Sequence, residues 1–538
     1  MRRLLGPILH LRPAPPDAWR FTIGLWVEQP DLAALRVVFD PAAGATVSPQ
    51  AAVQGRFATG DWVSWTVSIP RQAAELRTGY RLDGLPEGPI DVDHLVVPAV
   101  GQSPRIGFFS CNGVQDPKQW TSQPEMERAW ARMGERQKQP HRPDGSGGAY
   151  HVLIGGGDQL YCDAVWSIDE LKPLRSWAAR KAAPVTPALR LAIERTYAQM
   201  YQRWTESIFS AMHARVPGLY MWDDHDIFDG WGSYDDHLQR CDLFQAIFDA
   251  ARRAFVVFQL GGAPPRPPCR NPGAGHFLQA MQLDDLDVVL LDLRSERTAA
   301  QVMSAAQWTD LHAYLAERAG RKPPAPHLLV VSTIPLVYLN FGVAEHVLAW
   351  LPSRQEMEDD LRDQWESPAH QEERDRLVMT LLDHAARTRT RVSVLSGDVH
   401  VGARGRIVSR RPAHLLGDET ESVVHQLTSS GIVFTPPTSF EMLGMRLLGK
   451  EGPLPLASVS GVATEVVRLS PQHFLLGRNN WLSVEPDLPD AAGHAPAPAP
   501  GDDGGDEPDP LAARRCRLWI RWSTADDDVA PPLVIHAR

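Results

Sequence analysis

The sequence predicts an α/β protein whose larger body of interior strands and covering helices follows an N-terminal antiparallel β-sandwich. Three observations carry this. From about residue 104, short wholly apolar runs alternate with long amphipathic stretches, as strands buried on both faces require. Up to about residue 100 the chain instead shows alternating, β-branched segments punctuated by Gly, Pro and Asp, the pattern of antiparallel strands joined by tight turns. The length of 538 residues exceeds one ordinary core, so a large domain plus a smaller one is expected.

The first element is "LLGPILHL". Arg2 and Arg3 precede a short apolar run, but Pro7 and His10 break it and no small-residue cleavage site follows. A retained strand is therefore expected, not an export signal. "WRFTIGLWVE" (Trp19 to Glu28), "ALRVVFD" (Ala34 to Asp40) and "DWVSWTVSIP" (Asp61 to Pro70) continue the β region, residues 1–100. Interior strands follow: "RIGFFS" ending at Ser110, "HVLIGG" at Gly156, "GLYMW" at Trp222, "LDVVLLD" at Asp292, "HLLVVS" at Ser332 and "RVSVLS" at Ser396. Leu189, Ile193, Tyr197, Met200, Tyr201, Trp204 and Ile208 recur every three or four residues, one apolar helical stripe that packs a core. Met303 and Trp308, in a helix expected over 301–320, read the same way. The main domain spans 104–485. Residues 486–510, rich in Pro, Ala, Gly and Asp, cannot bury enough apolar surface to order themselves. They read as an insertion between "NNWLSVE" and "CRLWIRW", with 511–538 completing the main domain.

The hydrophobic content of 43% and charged content of 22% are those of a globular chain. A formal net charge of -11 argues against nucleic-acid binding by overall charge. No run of eighteen apolar residues predicts a membrane span. Five scattered cysteines without a C-x-x-C pair fit a reducing compartment, so a cytoplasmic location is expected. Composition leaves the oligomeric state open.

The chemistry concentrates at four strand ends. "YMWDDHDIFDGWGSYDDH" (Tyr220 to His237) holds six aspartates and two histidines and no lysine or arginine. Like charges at that spacing repel, so a positive partner is needed. The other ends give "SCN" with Cys111, "GGGDQLYCD" with Asp158, Tyr161 and Asp163, and "SGDVH" with Asp398 and His400. In an α/β sheet ligands bind beyond the carboxyl ends of the strands. Four such ends rich in Asp, His, Cys and Tyr therefore predict a binuclear or multinuclear metal site. Thiolate, phenolate, carboxylate and imidazole together suit a strongly Lewis-acidic or trivalent ion, while oxygen-rich carboxylates suit calcium, magnesium or manganese. Two ions about 4 Å apart would clamp an in-line displacement and make hydroxide available near neutral pH.

In order, "FFSCN", "GGGDQLYCD", "WDDHDIFDGWG", "LDLRSERT" and "LSGDVHVG" resemble the PhoD-like metallophosphatases, the alkaline phosphatase D family of the calcineurin-like metallophosphoesterases. They span Phe108 to Gly402. The resemblance implies a metallophosphoesterase-type α/β sandwich and hydrolysis of a phosphomonoester or phosphodiester by metal-bound hydroxide. It implies that Cys111, Asp158, Tyr161 and His400 bind a ferric ion, and that Asp158 bridges to a calcium site holding Asp224 and Asp398. Magnesium or manganese is the alternative loading. His225, beside Asp224, would face the leaving-group oxygen, and Arg294 and Arg297 would offer cations to phosphate.

Simpler roles compete at several positions. Arg294 also reads as a structural ion-pair partner. Cys162 reads as core, as do His151 and His425. Asp226 reads as a residue that orients a neighbour or caps a helix, Asp163 as either a cap or a support behind the ligands, and Asp235, Asp236 and His237 as a helix start. A non-catalytic metal-binding or partner-binding protein on the same scaffold is the rival function; no G-x-S-x-G elbow supports a serine hydrolase.

Overall fold

The computed structural model describes residues 1–114, 123–140, 148–174, 176–262, 275–338, 365, 370–438, 442, 445, 452–487, 517–529 and 531–538. Two large sheets make the frame. The first has eleven strands, and its parallel centre is the set Ile106–Phe109, Val152–Gly156 and Gly218–Met221. Gly107 lies opposite Leu153, and Ile154 opposite Leu219. On one side of this centre the hairpin of Asn480–Pro486 and Leu518–Thr524 pairs antiparallel with Ile106–Phe109, and Leu533–Ile535 closes that edge. On the other side lies the N-terminal antiparallel sheet of Arg2–Arg12, Ala18–Glu28 and Gly60–Pro70. Its first strand pairs in parallel with Gly218–Met221, His10 opposite Gly218, so hydrogen bonding runs on without a break. Arg36–Phe39, Leu76–Asp83 and Ile90–Val97 form a separate three-stranded sheet.

The second large sheet has eight strands in the order Gln279–Leu283, Leu286–Leu290, His327–Val331, Arg391–Ser396, Ser422–Thr428, Ala403–Ser409, Val462–Val467 and Leu454–Pro455. Alternate residues leave a strand on opposite faces, and here they feed two cores. Val288, Leu290, Leu329, Val331, Leu395 and Leu427 join the apolar cluster that contains Phe108 and Ile154 of the first sheet. Val289, Leu328, Val330, Val392, Val394 and Val424 join a second cluster with Leu311, Leu315, Leu377 and Leu381. Those four leucines belong to helices Ala305–Gly320 and Gln371–Thr388. Strands buried on both sides explain why the sequence shows continuous apolar runs there.

Helix Pro187–Glu206 starts where Thr186 accepts a hydrogen bond from the Leu189 amide and proline occupies the first turn. Its stripe from Leu189 to Trp204 is buried as the periodicity predicts. The helix expected from 301 begins at Ala305, because the Ser304 side chain caps it; Met303 packs in the core just ahead of it.

Buried polar ties join the N-terminal strands to the rest. Arg71 bonds the carbonyls of Pro98, Ala99 and Gln102 and pairs with Asp284 at 2.8 Å. The Arg105 amide donates to His151 Nδ1 at 2.9 Å. His151 therefore carries its proton on Nε2, which faces Glu75 at 3.1 Å.

Most of the expected 486–510 insertion, with Cys269 and Cys516, lies outside the described residues. Among the described residues no helix is long and apolar enough to cross a membrane.

Candidate metal centre

Each ligand-bearing loop begins as a strand ends, and the loops of the two sheets interlock. The Cys111 amide bonds the Gly157 carbonyl, the Asn112 amide bonds the Asp158 carbonyl, and the Ile432 amide bonds the Ser110 carbonyl. The Gly397 amide bonds Thr333, and the Ser110 hydroxyl donates to the Ser429 carbonyl at 3.1 Å. The approach is too close for a side chain at two points. A Cβ on Gly157, which has φ +102°, would lie 2.9 Å from the Asp223 Cβ, and one on Gly397 would strike the Ser110 side chain and sit 3.0 Å from the Gly156 carbonyl oxygen.

Backbone strain gathers at the same place. Cys111, Asp158, Asp398 and His400 have φ of 53°, 52°, 71° and 54°. Left-handed non-glycine residues are costly and persist where surroundings force them, typically at functional sites.

The side chains converge. Ligand atoms of Asp158, Asp223 and Asp224 lie within 4.8 Å of one another, as do those of Asp224, His225 and Asp229. Cys111 Sγ is 3.5 Å from Asp158 Oδ2 and 3.1 Å from the Ser430 hydroxyl. Tyr161 Oη is 3.2 Å from His400 Nε2. Tyr161 lies against His225 with ring centroids 4.4 Å apart, and Phe434 stacks on His400 at 3.5 Å. His225 Nδ1 meets Asp163 Oδ2 at 2.8 Å, and Asp163 Oδ1 accepts the Asp229 amide. Asp398 is half-buried on the loop between the Arg391–Ser396 strand and His400, outside the carboxylate trio.

The electrostatics of the cluster favour a bound cation. Burial, then the neighbouring Cys111 and Asp224, push the Asp158 carboxyl far above its usual range. Burial likewise pushes the Cys111 thiol and Tyr161 phenol up. Burial opposes a charge on His225, but Asp163 and Asp224 win and raise its pKa well above the ordinary value. His400 is lowered to about 3, by burial and by His225. Asp158 Oδ1 is buried and has no hydrogen-bond partner among the described residues. An orphaned carboxylate oxygen amid like charges is what a cation would satisfy, so the donor set fits metal.

Neighbours hold the frame. Asp226 accepts from the amides of Asp223, Gln159 and Leu160 and from Gln259 Nε2. Burial raises its pKa to about 7. Gln259 reaches it from a single π-helical turn, Phe255–Gln259, a distortion frequent at functional sites. Arg294 is buried, bonded through Nε to Asp223 and lying 3.3 Å from Asp224 Oδ1 and 3.1 Å from the Trp231 carbonyl. Arg297 is buried, with Nη2 3.5 Å from His370 Nδ1. Cys162 and His151 are buried, His425 partly so, and Asp235 caps the helix Asp236–Gln239. Ser430 and Phe434 were missed by sequence reasoning; the "SSG" after the Ser422–Thr428 strand is the signal that could have found them.

Against known families, the model of the PhoD related phosphatases matches residues 136–265 and 353–458. Over those two segments the chain is similar to that family. The two matched segments carry Asp158, Tyr161, Asp224 and His225, and Asp398, His400 and Ser430. A yeast relative, the uncharacterized protein YGR266W of Saccharomyces cerevisiae, is 24% identical over 455 residues, which cover 69% of this chain. The chain spans 62% of that relative's length. A solved structure of PhoD aligns over 97% of this chain and 91% of its own, at 12% identity and a TM-score of 0.49. The acidic clusters suited to metal lie inside the first of the two segments similar to the PhoD related phosphatases.

Proposed function

We propose that the protein is a metal-dependent phosphoesterase acting on a phosphomonoester or phosphodiester. The observation that carries the reading is the convergence of Cys111, Asp158, Tyr161, Asp224, His225 and His400 at strand ends of two sheets, around an unpartnered Asp158 oxygen. Cys111, Asp158, Tyr161 and His400 would hold one ion and Asp158, Asp224 and Asp398 a second. Ferric iron with calcium is the pairing that the resemblance to the PhoD-like metallophosphatases implies; the ligands themselves suit a strongly Lewis-acidic or trivalent ion beside calcium, magnesium or manganese. Bound there, the ions would lower the pKa of a water and polarise a phosphoryl oxygen.

The chain's own residues supply the rest. Asp163 accepts from His225 Nδ1, which turns Nε2 toward the carboxylates. Nε2 can then donate to the leaving-group oxygen. Phe434 fixes the plane of His400, and Ser430 positions both Cys111 Sγ and the His400 amide. A cytoplasmic location belongs to the same proposal.

The test is turnover of a chromogenic phosphate ester by metal-replete protein, with metal content measured alongside. Turnover lost on chelation and restored by metal is expected. Metal-replete protein inert toward monoesters and diesters alike would favour a binding role on this scaffold.

A further inference from the structure

We propose that Arg294 is a positioning residue that clamps Asp223 and Asp224 and acts as the built-in counter-cation of the carboxylate cluster. Arg294 follows the Leu286–Leu290 strand of the second sheet, whereas the two aspartates follow Gly218–Met221 of the first. The guanidinium therefore spans the interface between sheets. It bonds Asp223 through Nε and lies 3.3 Å from Asp224 Oδ1 and 3.1 Å from the Trp231 carbonyl. Its own peptide is fixed at both ends. The Arg294 amide donates to Asp292 Oδ1 at 3.1 Å, and its carbonyl accepts from Trp231 Nε1 at 3.2 Å. It is 0% exposed, so it cannot swing out to meet a substrate.

Two consequences follow. Asp223 gives its Oδ1 to the arginine and Asp224 its Oδ2 to the Gly230 amide, so both aspartates are braced where they meet Asp158. The fixed positive charge also offsets one of three carboxylates. An anionic ester then meets a less negative site, at the cost of weaker cation binding. This second effect rests on the phosphoesterase reading; the clamp does not.

The experiment compares wild type, Arg294→Gln and the double variant Asp223→Asn/Arg294→Gln, measuring manganese binding by calorimetry and KM and kcat on a chromogenic phosphate ester. Removing the arginine frees a carboxylate and removes a repelling charge, so Arg294→Gln is expected to bind manganese roughly tenfold or more tighter, while KM rises more than kcat falls. The double variant removes both charges and is expected to return manganese affinity to within about threefold of wild type. It also covers the case in which Arg294→Gln alone fails to fold, since the Asp223–Arg294 charge pair is removed as a unit; weaker manganese binding by the folded double variant than that range allows would then overturn the clamp. Unchanged or weaker manganese binding in a folded Arg294→Gln protein overturns the proposal. Tighter manganese binding in a protein that hydrolyses no ester upholds the clamp and rejects the phosphoesterase reading.

Discussion

Asp158 is the residue at which function and stability conflict. Its folded pKa lies far above the unfolded value, raised by burial and by Cys111 and Asp224. A carboxyl raised in this way favours the fold below its unfolded pKa, and that contribution is lost as pH rises through the folded value. At neutral pH, metal-free Asp158→Asn is therefore expected to melt at or above the wild-type temperature while losing metal and nearly all turnover. Calorimetry of chelated protein checks the first part, and a much lower melting temperature would contradict it. At Asp163 the expectation differs. Asp163→Asn weakens the grip on His225 Nδ1 without touching the carboxylate trio, so turnover should fall about 100-fold with metal content near normal. Full turnover in that variant would remove His225 from the proposed chemistry. The ligand-type residues were legible in the sequence because each sits immediately after an apolar strand. Arg294 was legible as an ion-pair partner, but its partners and the roles of Ser430 and Phe434 were not, since each depends on a different loop, 63 positions away for Arg294 with Trp231 and 319 for Ser430 with Cys111.

At the scale of elements, the site depends on how closely strand ends approach. Gly397→Ala would drive a methyl group into Ser110 and toward the Gly156 carbonyl. Backbone lies on one side, so relief requires the two sheets to part at the site. A destabilisation of about 1–3 kcal/mol is expected, with metal affinity falling more than melting temperature does. Urea unfolding and metal titration of the variant measure the two, and a variant with wild-type values in both would show that the sheets have slack there. Periodicity revealed these strands and the Pro187–Glu206 helix because both cores act on local spacing. The order of strands within the sheets was hidden, since pairing joins segments far apart in the chain, as His10 with Gly218.

The whole molecule should be sensitive to acid through its buried histidines. Burial, and then nearby arginines, lower His10 and His151 to about 3. Unfolded, each takes up a proton near 6.5, so between there and about 3 the unfolded state binds more protons. Stability must fall as pH drops across that window, with a slope approaching about 1.4 kcal/mol per pH unit for each histidine. Burial would raise the Glu75 carboxyl, but His151 and Arg105 hold it well below the usual range, which adds to the loss at the acid end. His151→Gln should reduce the slope of urea-unfolding stability against pH between 6 and 4. An identical slope would mean that His151 is already protonated in the fold.

The parallel pairing of Arg2–Arg12 with Gly218–Met221 also bears on how the protein is made. On the ribosome Arg2–Arg12 emerges about two hundred residues ahead of its neighbour. At ordinary rates of synthesis that is a wait of roughly 10 to 40 s. Throughout it, the nascent N-terminal sheet would present an open, apolar strand edge, the kind that recruits chaperones or pairs with another chain. A fragment ending at residue 100 should consequently aggregate or stay unfolded, as judged by light scattering and circular dichroism. A monomeric, cooperatively melting fragment would show instead that these strands can complete themselves before the rest of the polypeptide arrives.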